Sequence, residues 1–197
     1  MNKVYAGIGS RKTPPEVCAA FANLAGRLGQ AGWTLRSGRA EGADSAFEAG
    51  ARTVRGSCEI FLPEDLRPLS QRLNDDPHEA RYLDEVTGSV LGCKIIARLL
   101  HPNGKNLNPQ ALELHARNTY QIIGQNLNSP VQFVVCWTEG GRGEGGTGQA
   151  LRLAKMLNIH IIDYGSTTDP MKWWSMNDYI CSVYGGIKWN VKNVISY

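Results

Sequence analysis

Short apolar runs alternate along this chain with longer stretches in which apolar residues recur three or four positions apart. The first run, Lys3 to Ile8, predicts a strand ending in the turn Gly9-Ser10-Arg11. Thr13-Pro14-Pro15-Glu16 opens a helix, with Thr13 as cap, proline in the first turn and Glu16 at the positive end. Val17, Phe21, Leu24 and Leu28 form its apolar face, and Gly29 and Gly32 end it. Trp33 to Gly38 predicts a second strand, residues 43–54 a second helix, and Ser57 to Pro63 a third strand stopped by proline. Further on, Asn108-Pro109 caps and starts a helix to about Gly124. Val131 to Trp137 reads as a buried strand, Ala150 to Leu157 as an amphipathic helix, and Asn158 to Tyr164 as the last strand.

This alternation argues for a mostly parallel sheet covered by helices. Right-handed crossovers place the loops that follow the strands at one edge. Such sheets bind ligands there, near a switch in strand order. The glycine turns after the first two strands and the loop from Gly140 to Gln149 are therefore expected to meet in one crevice. That long loop lies between a strand and a helix, an arrangement that offers backbone N–H groups and a positive helix end to an anion. Its glycines let a phosphate approach the backbone, and Thr147 serves as helix cap and hydroxyl donor. The alternative is a plain surface loop.

Two segments depart from the alternation. Residues 64–108 carry turn signals at Asp75-Asp76-Pro77 and Pro102-Asn103-Gly104, around helices expected at 78–87 and 89–100. They read as a helical insertion, acting as lid, oligomer contact or structural filler. Residues 166–197 hold Trp173, Trp174, Tyr179, Tyr184, Trp189 and Tyr197. They read as an aromatic arm packed on the core or on a partner subunit, or else as a surface that stacks bases.

Composition narrows the function classes. A hydrophobic share of 42% with 20% charged residues fits a globular protein, so residues 1–165 are read as one domain carrying the arm. A net charge of +3 is too small for a protein that coats DNA by charge alone. Five scattered cysteines with no Cys-x-x-Cys pair read as reduced thiols in a cytoplasmic protein. No signal peptide is read at the N-terminus, and no apolar run is long enough to span a membrane. His78, His101, His115 and His160 are dispersed, so neither a metal nor another cofactor is expected.

The motifs together resemble a known group. Ser37-Gly38-Arg39-Ala40-Glu41-Gly42-Ala43-Asp44 is similar to the SGxAxGxD signature of the DNA-processing (DprA/Smf) family. Gly9-Ser10-Arg11 resembles its GSR turn, Arg117-Asn118 its RN pair, and Gly145-Gly146-Thr147 its GGT. The resemblance covers residues 3 to 163 and implies a Rossmann-like three-layer domain. The wider superfamily includes LOG-type nucleotide phosphoribohydrolases and signal-nucleotide sensors. The compact form is similar to stand-alone members found in phage genomes. LOG-type enzymes carry PGGxGTxxE; here the proline is missing and the glutamate position is Ala150.

From this follows the candidate site. Gly9, Ser10, Arg11, Ser37, Gly38, Arg39, Asp44, Arg117, Gly145, Gly146 and Thr147 are the expected phosphate-binding residues. Asp44 has a second reading as a helix cap, and the arginines as solvated charges. The expected ligand is a nucleotide or single-stranded DNA, and the expected assembly a homodimer or higher homo-oligomer. The alternative is a nucleotide N-glycosidase, for which Glu41, Glu139, Glu144 and Arg117 are the candidate catalytic residues. Asp163 reads either as a ribose contact or as a turn stabiliser.

Overall fold

The computed structural model describes residues 3–63, 80–82 and 88–185. Six parallel strands form one sheet: β1 (Val4–Gly9), β2 (Thr34–Ser37), β3 (Cys58–Leu62), β4 (Ala80–Tyr82), β5 (Phe133–Trp137) and β6 (His160–Asp163). Their spatial order is β4-β3-β2-β1-β5-β6. The register sets Ala6 opposite Arg36 and Gly7 opposite Val135, which puts β1 in the middle of the sheet.

Period-two alternation in the strands divides the core into two layers. Tyr5, Leu35, Ile60, Leu62, Phe133 and Val135 face α1 (Pro15–Gln30), α2 (Ala43–Thr53) and a C-terminal helix. Val4, Ala6, Ile8, Val134 and Cys136 face the opposite layer. That layer is built from α3 (Gly88–Leu100), α4 (Pro109–Ile123) and α5 (Gly148–Met156). Stacked Phe21 and Phe47, ring centres 4.2 Å apart, anchor α1 to α2. Burying each ring stabilises the fold by about 1.5–3 kcal/mol. The chain is thus a Rossmann-like α/β domain of three layers.

The chain crosses from β1 through α1 to β2 on one side, and from β5 through α5 to β6 on the other. The loops after β1 and β5 therefore part, and a crevice opens between them at the strand ends.

Four local expectations are corrected. A helix was expected over residues 78–87, but Ala80–Tyr82 pairs with β3, Leu62 opposite Tyr82; the rest of that span lies outside the described residues. Three residues are too few to display a period of two, and pairing with the sheet edge overrides local preference. Thr13 does not cap α1: Pro14 holds that position, and the Thr13 hydroxyl donates to the Ser10 carbonyl at 2.6 Å. Gly29 lies inside α1, which runs to Gln30. Thr147 makes no side-chain cap bond to α5. Asn108 does cap α4, accepting from the Ala111 N–H at 2.8 Å.

The C-terminal segment begins as α6 (Pro170–Tyr184), capped by Asp169 and packed on α1. Trp173, Ile180 and Cys181 are buried in the core. Asn177 accepts from the Tyr164 hydroxyl at 2.6 Å and donates to the Ala20 carbonyl at 2.8 Å. Trp174 and Tyr179 are exposed, whereas Trp189 and Tyr197 lie outside the described residues. Among the described residues no helix is long and apolar enough to cross a membrane.

Candidate functional site

Glycine sets the shape of the crevice floor. A Cβ on Gly9 would lie 2.6 Å from the Ala43 Cβ, so its absence lets β1 pass close to the start of α2. Gly42, at φ +82°, turns the chain into α2 where a Cβ would meet the Ser10 carbonyl oxygen at 2.6 Å. A Cβ on Gly38 would overlap the guanidinium of Arg117. The first two glycine turns are thus closed against protein.

Between these turns lies a buried ion pair. Asp44, in the first turn of α2, accepts from the Gly9 N–H at 3.1 Å and faces Arg117 Nη1 at 3.7 Å. Arg117 Nη1 also donates to the Gly38 carbonyl at 2.7 Å. Burial pushes the Asp44 carboxyl up; Arg117 and the N–H groups of Ala40, Gly9 and Gly38 pull it back down. Burial likewise pushes the Arg117 guanidinium down, Asp44 restores it, and nearby Arg11 lowers it again. Asp44 is therefore a tie between β1, the β2 loop and α4 rather than a helix cap. Removing one member of such a pair leaves the other charge buried without a partner.

Above this floor is a cavity of about 350 Å³. Gly9, Ser10, Arg11 and Lys12 line it from the β1 turn, Asp44 from α2, and Gly146 and Thr147 from the turn before α5. His115, Arg117, Asn118 and Gln121 line it from one face of α4. The β1 turn and the end of the long loop meet here, while the β2 loop reaches the cavity only at Ala40. Seven of the sequence-proposed residues border the cavity: Gly9, Ser10, Arg11, Asp44, Arg117, Gly146 and Thr147.

The others sit apart from it. The Ser37 hydroxyl donates to the Gly7 carbonyl at 2.7 Å and is buried in the sheet. Gly38 lies behind Arg117. Arg39, at φ +54°, turns its guanidinium to Glu48, at 2.7 Å and 3.0 Å. Gly145 and Glu144 line a neighbouring cavity. Glu41 and Glu139 are exposed, and Glu144 faces Arg142 at 3.4 Å on the surface. Among the described residues lining the main cavity, Asp44 is the one carboxylate.

The β1 turn is not a cradle of free backbone donors. Its Gly9 N–H serves Asp44, its Ser10 N–H the Trp137 carbonyl, and its Lys12 N–H the Ser10 hydroxyl. The charged groups that it presents to the cavity are the Arg11 and Lys12 side chains. The long loop is tied down by Asp163, which accepts from the Thr138 N–H at 2.9 Å, the Thr138 hydroxyl and the Gly165 N–H. That is the turn-stabilising reading of Asp163. Asn118 holds the loop from α4, donating to the Gly146 carbonyl at 2.8 Å.

No protein-family model and no curated protein matches this chain.

His115 and Gln121 were not anticipated, though α4 carries a signal for them. His115, Asn118, Thr119 and Gln121 are polar at buried positions, where an ordinary core helix is apolar. Among the described residues, Arg117 Nε, Gln121 Nε2 and His115 Nδ1 are buried with no hydrogen-bond partner. Buried donors without partners mark strain or the place of a missing ligand. The histidines are also less dispersed than their spacing suggests: the rings of His101 and His115 lie 4.5 Å apart. Among the described residues no three His, Cys, Asp or Glu side chains group to hold a metal ion.

Proposed function

We propose that this protein is a binding module for the phosphate group of a nucleotide or of single-stranded DNA, held in the crevice between β1 and β5. One observation carries the reading: among the described residues, three cations, Arg11, Lys12 and Arg117, line the cavity against a single carboxylate. Asp44 neutralises Arg117 alone, so the cavity keeps a surplus of positive charge. The start of α5 adds its dipole beside Gly146 and Thr147, and the Thr147 hydroxyl supplies a further donor. The resemblance to the DprA/Smf family points the same way.

The N-glycosidase alternative is less well supported. Cleavage of a glycosidic bond needs a carboxylate at the reacting sugar. Glu41, Glu139 and Glu144 stand outside the main cavity, and Ala150 is buried where a LOG-type glutamate would sit. Asp44 is committed to Gly9 and Arg117.

Titration with nucleoside monophosphates and a short single strand tests the proposal, using wild type and the double variant Arg11→Ala, Thr147→Ala. The wild type binds and the double variant loses at least about tenfold in affinity, the equivalent of about 1.4 kcal/mol. A single strand held through several phosphates also loses affinity steeply with added salt. Equal binding by the double variant would move the site elsewhere. Release of free base on incubation, abolished by Glu41→Gln, Glu139→Gln or Glu144→Gln, would restore the enzyme reading.

A further inference from the structure

A second cavity, of about 370 Å³, adjoins the first and shares His115 and Gly146 with it. Its other walls include His101 and Pro102, from the end of α3, with Glu144 from the long loop and Arg152 from α5. Its chemistry differs from that of its neighbour. Among its described lining residues Glu144 and Arg152 carry opposite charges, and Glu144 also faces Arg142 at 3.4 Å, so the lining shows no surplus of positive charge. The Arg152 Nε already donates to the Leu100 carbonyl. Burial and the nearby His101, Arg152 and Arg117 hold His115 neutral, with its pKa down to about 4.

What remains suits a flat heterocycle. The two imidazoles and the Arg152 guanidinium are surfaces on which bases stack. Glu144 accepts from ring or amino N–H groups, and the Arg152 guanidinium donates to ring carbonyls. Gly146, which lines both cavities, presents no side chain between them. A Cβ there would find nothing within 4 Å among the described residues, and Gly146 is not at positive φ. Neither packing nor backbone conformation requires glycine at this position.

We propose that the cavity between His101, Pro102, Glu144 and Arg152 is the nucleobase subsite of the same ligand, whose sugar passes over Gly146 to the phosphate at Arg11 and Arg117. This rests on the phosphate-binding reading above and goes beyond it by separating base from phosphate. The site then takes a single nucleotide unit with its base engaged, rather than a bare phosphate.

The test is a calorimetric comparison of ribose 5-phosphate with the common nucleoside 5′-monophosphates, on wild type, His101→Ala and Glu144→Gln. At least one monophosphate binds wild type about tenfold or more tighter than ribose 5-phosphate, within the range expected of base stacking. In His101→Ala and Glu144→Gln that gain shrinks severalfold, the loss falling on the base-bearing probes alone, at unchanged melting temperature. Equal affinity of ribose 5-phosphate and every monophosphate overturns the subsite and leaves the phosphate reading standing. A gain undiminished in both variants overturns the assignment to this cavity. Binding of no probe at all overturns the phosphate reading and the subsite together.

Discussion

The glycines of this crevice fall into two kinds. Gly9, Gly38 and Gly42 are packed: a Cβ at any of them meets the Ala43 Cβ, the Arg117 guanidinium or the Ser10 carbonyl. Gly145 and Gly146 are open, with nothing within 4 Å of a Cβ at either among the described residues. The packed set lets β1, the β2 loop and α4 close on the Asp44–Arg117 pair. At Gly145 the backbone needs glycine, since φ is +72°. Gly146 has neither reason. Glycine-rich turns that look equivalent along the chain therefore differ: Gly9, Gly38 and Gly42 are required by packing, Gly145 by its backbone, and Gly146 by neither.

The largest effect expected from breaking this contrast is on the packed side. Asp44→Ala strands Arg117 without its partner and frees the Gly9 N–H, costing about 3–5 kcal/mol of stability. Chemical denaturation measures it. Asp44→Asn, which keeps an acceptor for Gly9, loses less. Next comes Gly38→Ala, which forces the Arg117 guanidinium aside and costs about 1–3 kcal/mol by overpacking. A domain of this size then melts roughly 2–4 °C lower for each kcal/mol.

An effect of comparable size appears in the pH dependence of folding. His115 has its pKa lowered to about 4 in the fold from 6.5. Between those values the unfolded chain binds the proton that the folded chain refuses. The stabilisation from neutral His115 is complete above about pH 6.5 and is lost as pH falls through about 4. Melting curves recorded between pH 4 and 7 follow that slope, and His115→Gln flattens it. The smallest effect belongs to the open side: Gly146→Ala changes stability by no more than about 0.5 kcal/mol, as for a surface position without contacts.

Much of the fold was legible because its signal is local. β1, β2, β3, β5 and β6 showed as apolar runs, and α1, α2, α4 and α5 as stretches with helical spacing. β4 was not legible, because three residues display no period and their partner, β3, lies across a long separation in sequence. At the site, the glycine turns announced a crevice but not which glycines were packed. Arg11, Asp44, Arg117, Gly146 and Thr147 met as the parallel topology required. Arg39 did not join them, because Glu48, nine residues further along the chain, takes its guanidinium. The neighbourhood of His101 and His115 arises from the packing of α3 against α4, which no spacing along the chain reveals.

The proposed nucleotide passes over the open glycine, Gly146, with its phosphate at Arg11 and Arg117. Gly146→Val tests this most directly, because a Cβ at this position meets nothing within 4 Å among the described residues. The measurement is the melting temperature of wild type and variant, each with and without a saturating nucleoside monophosphate. The account predicts equal melting temperatures without ligand, a rise with ligand in the wild type, and no rise in the variant. An equal rise in both would contradict it, as would a wild type that no nucleotide stabilises.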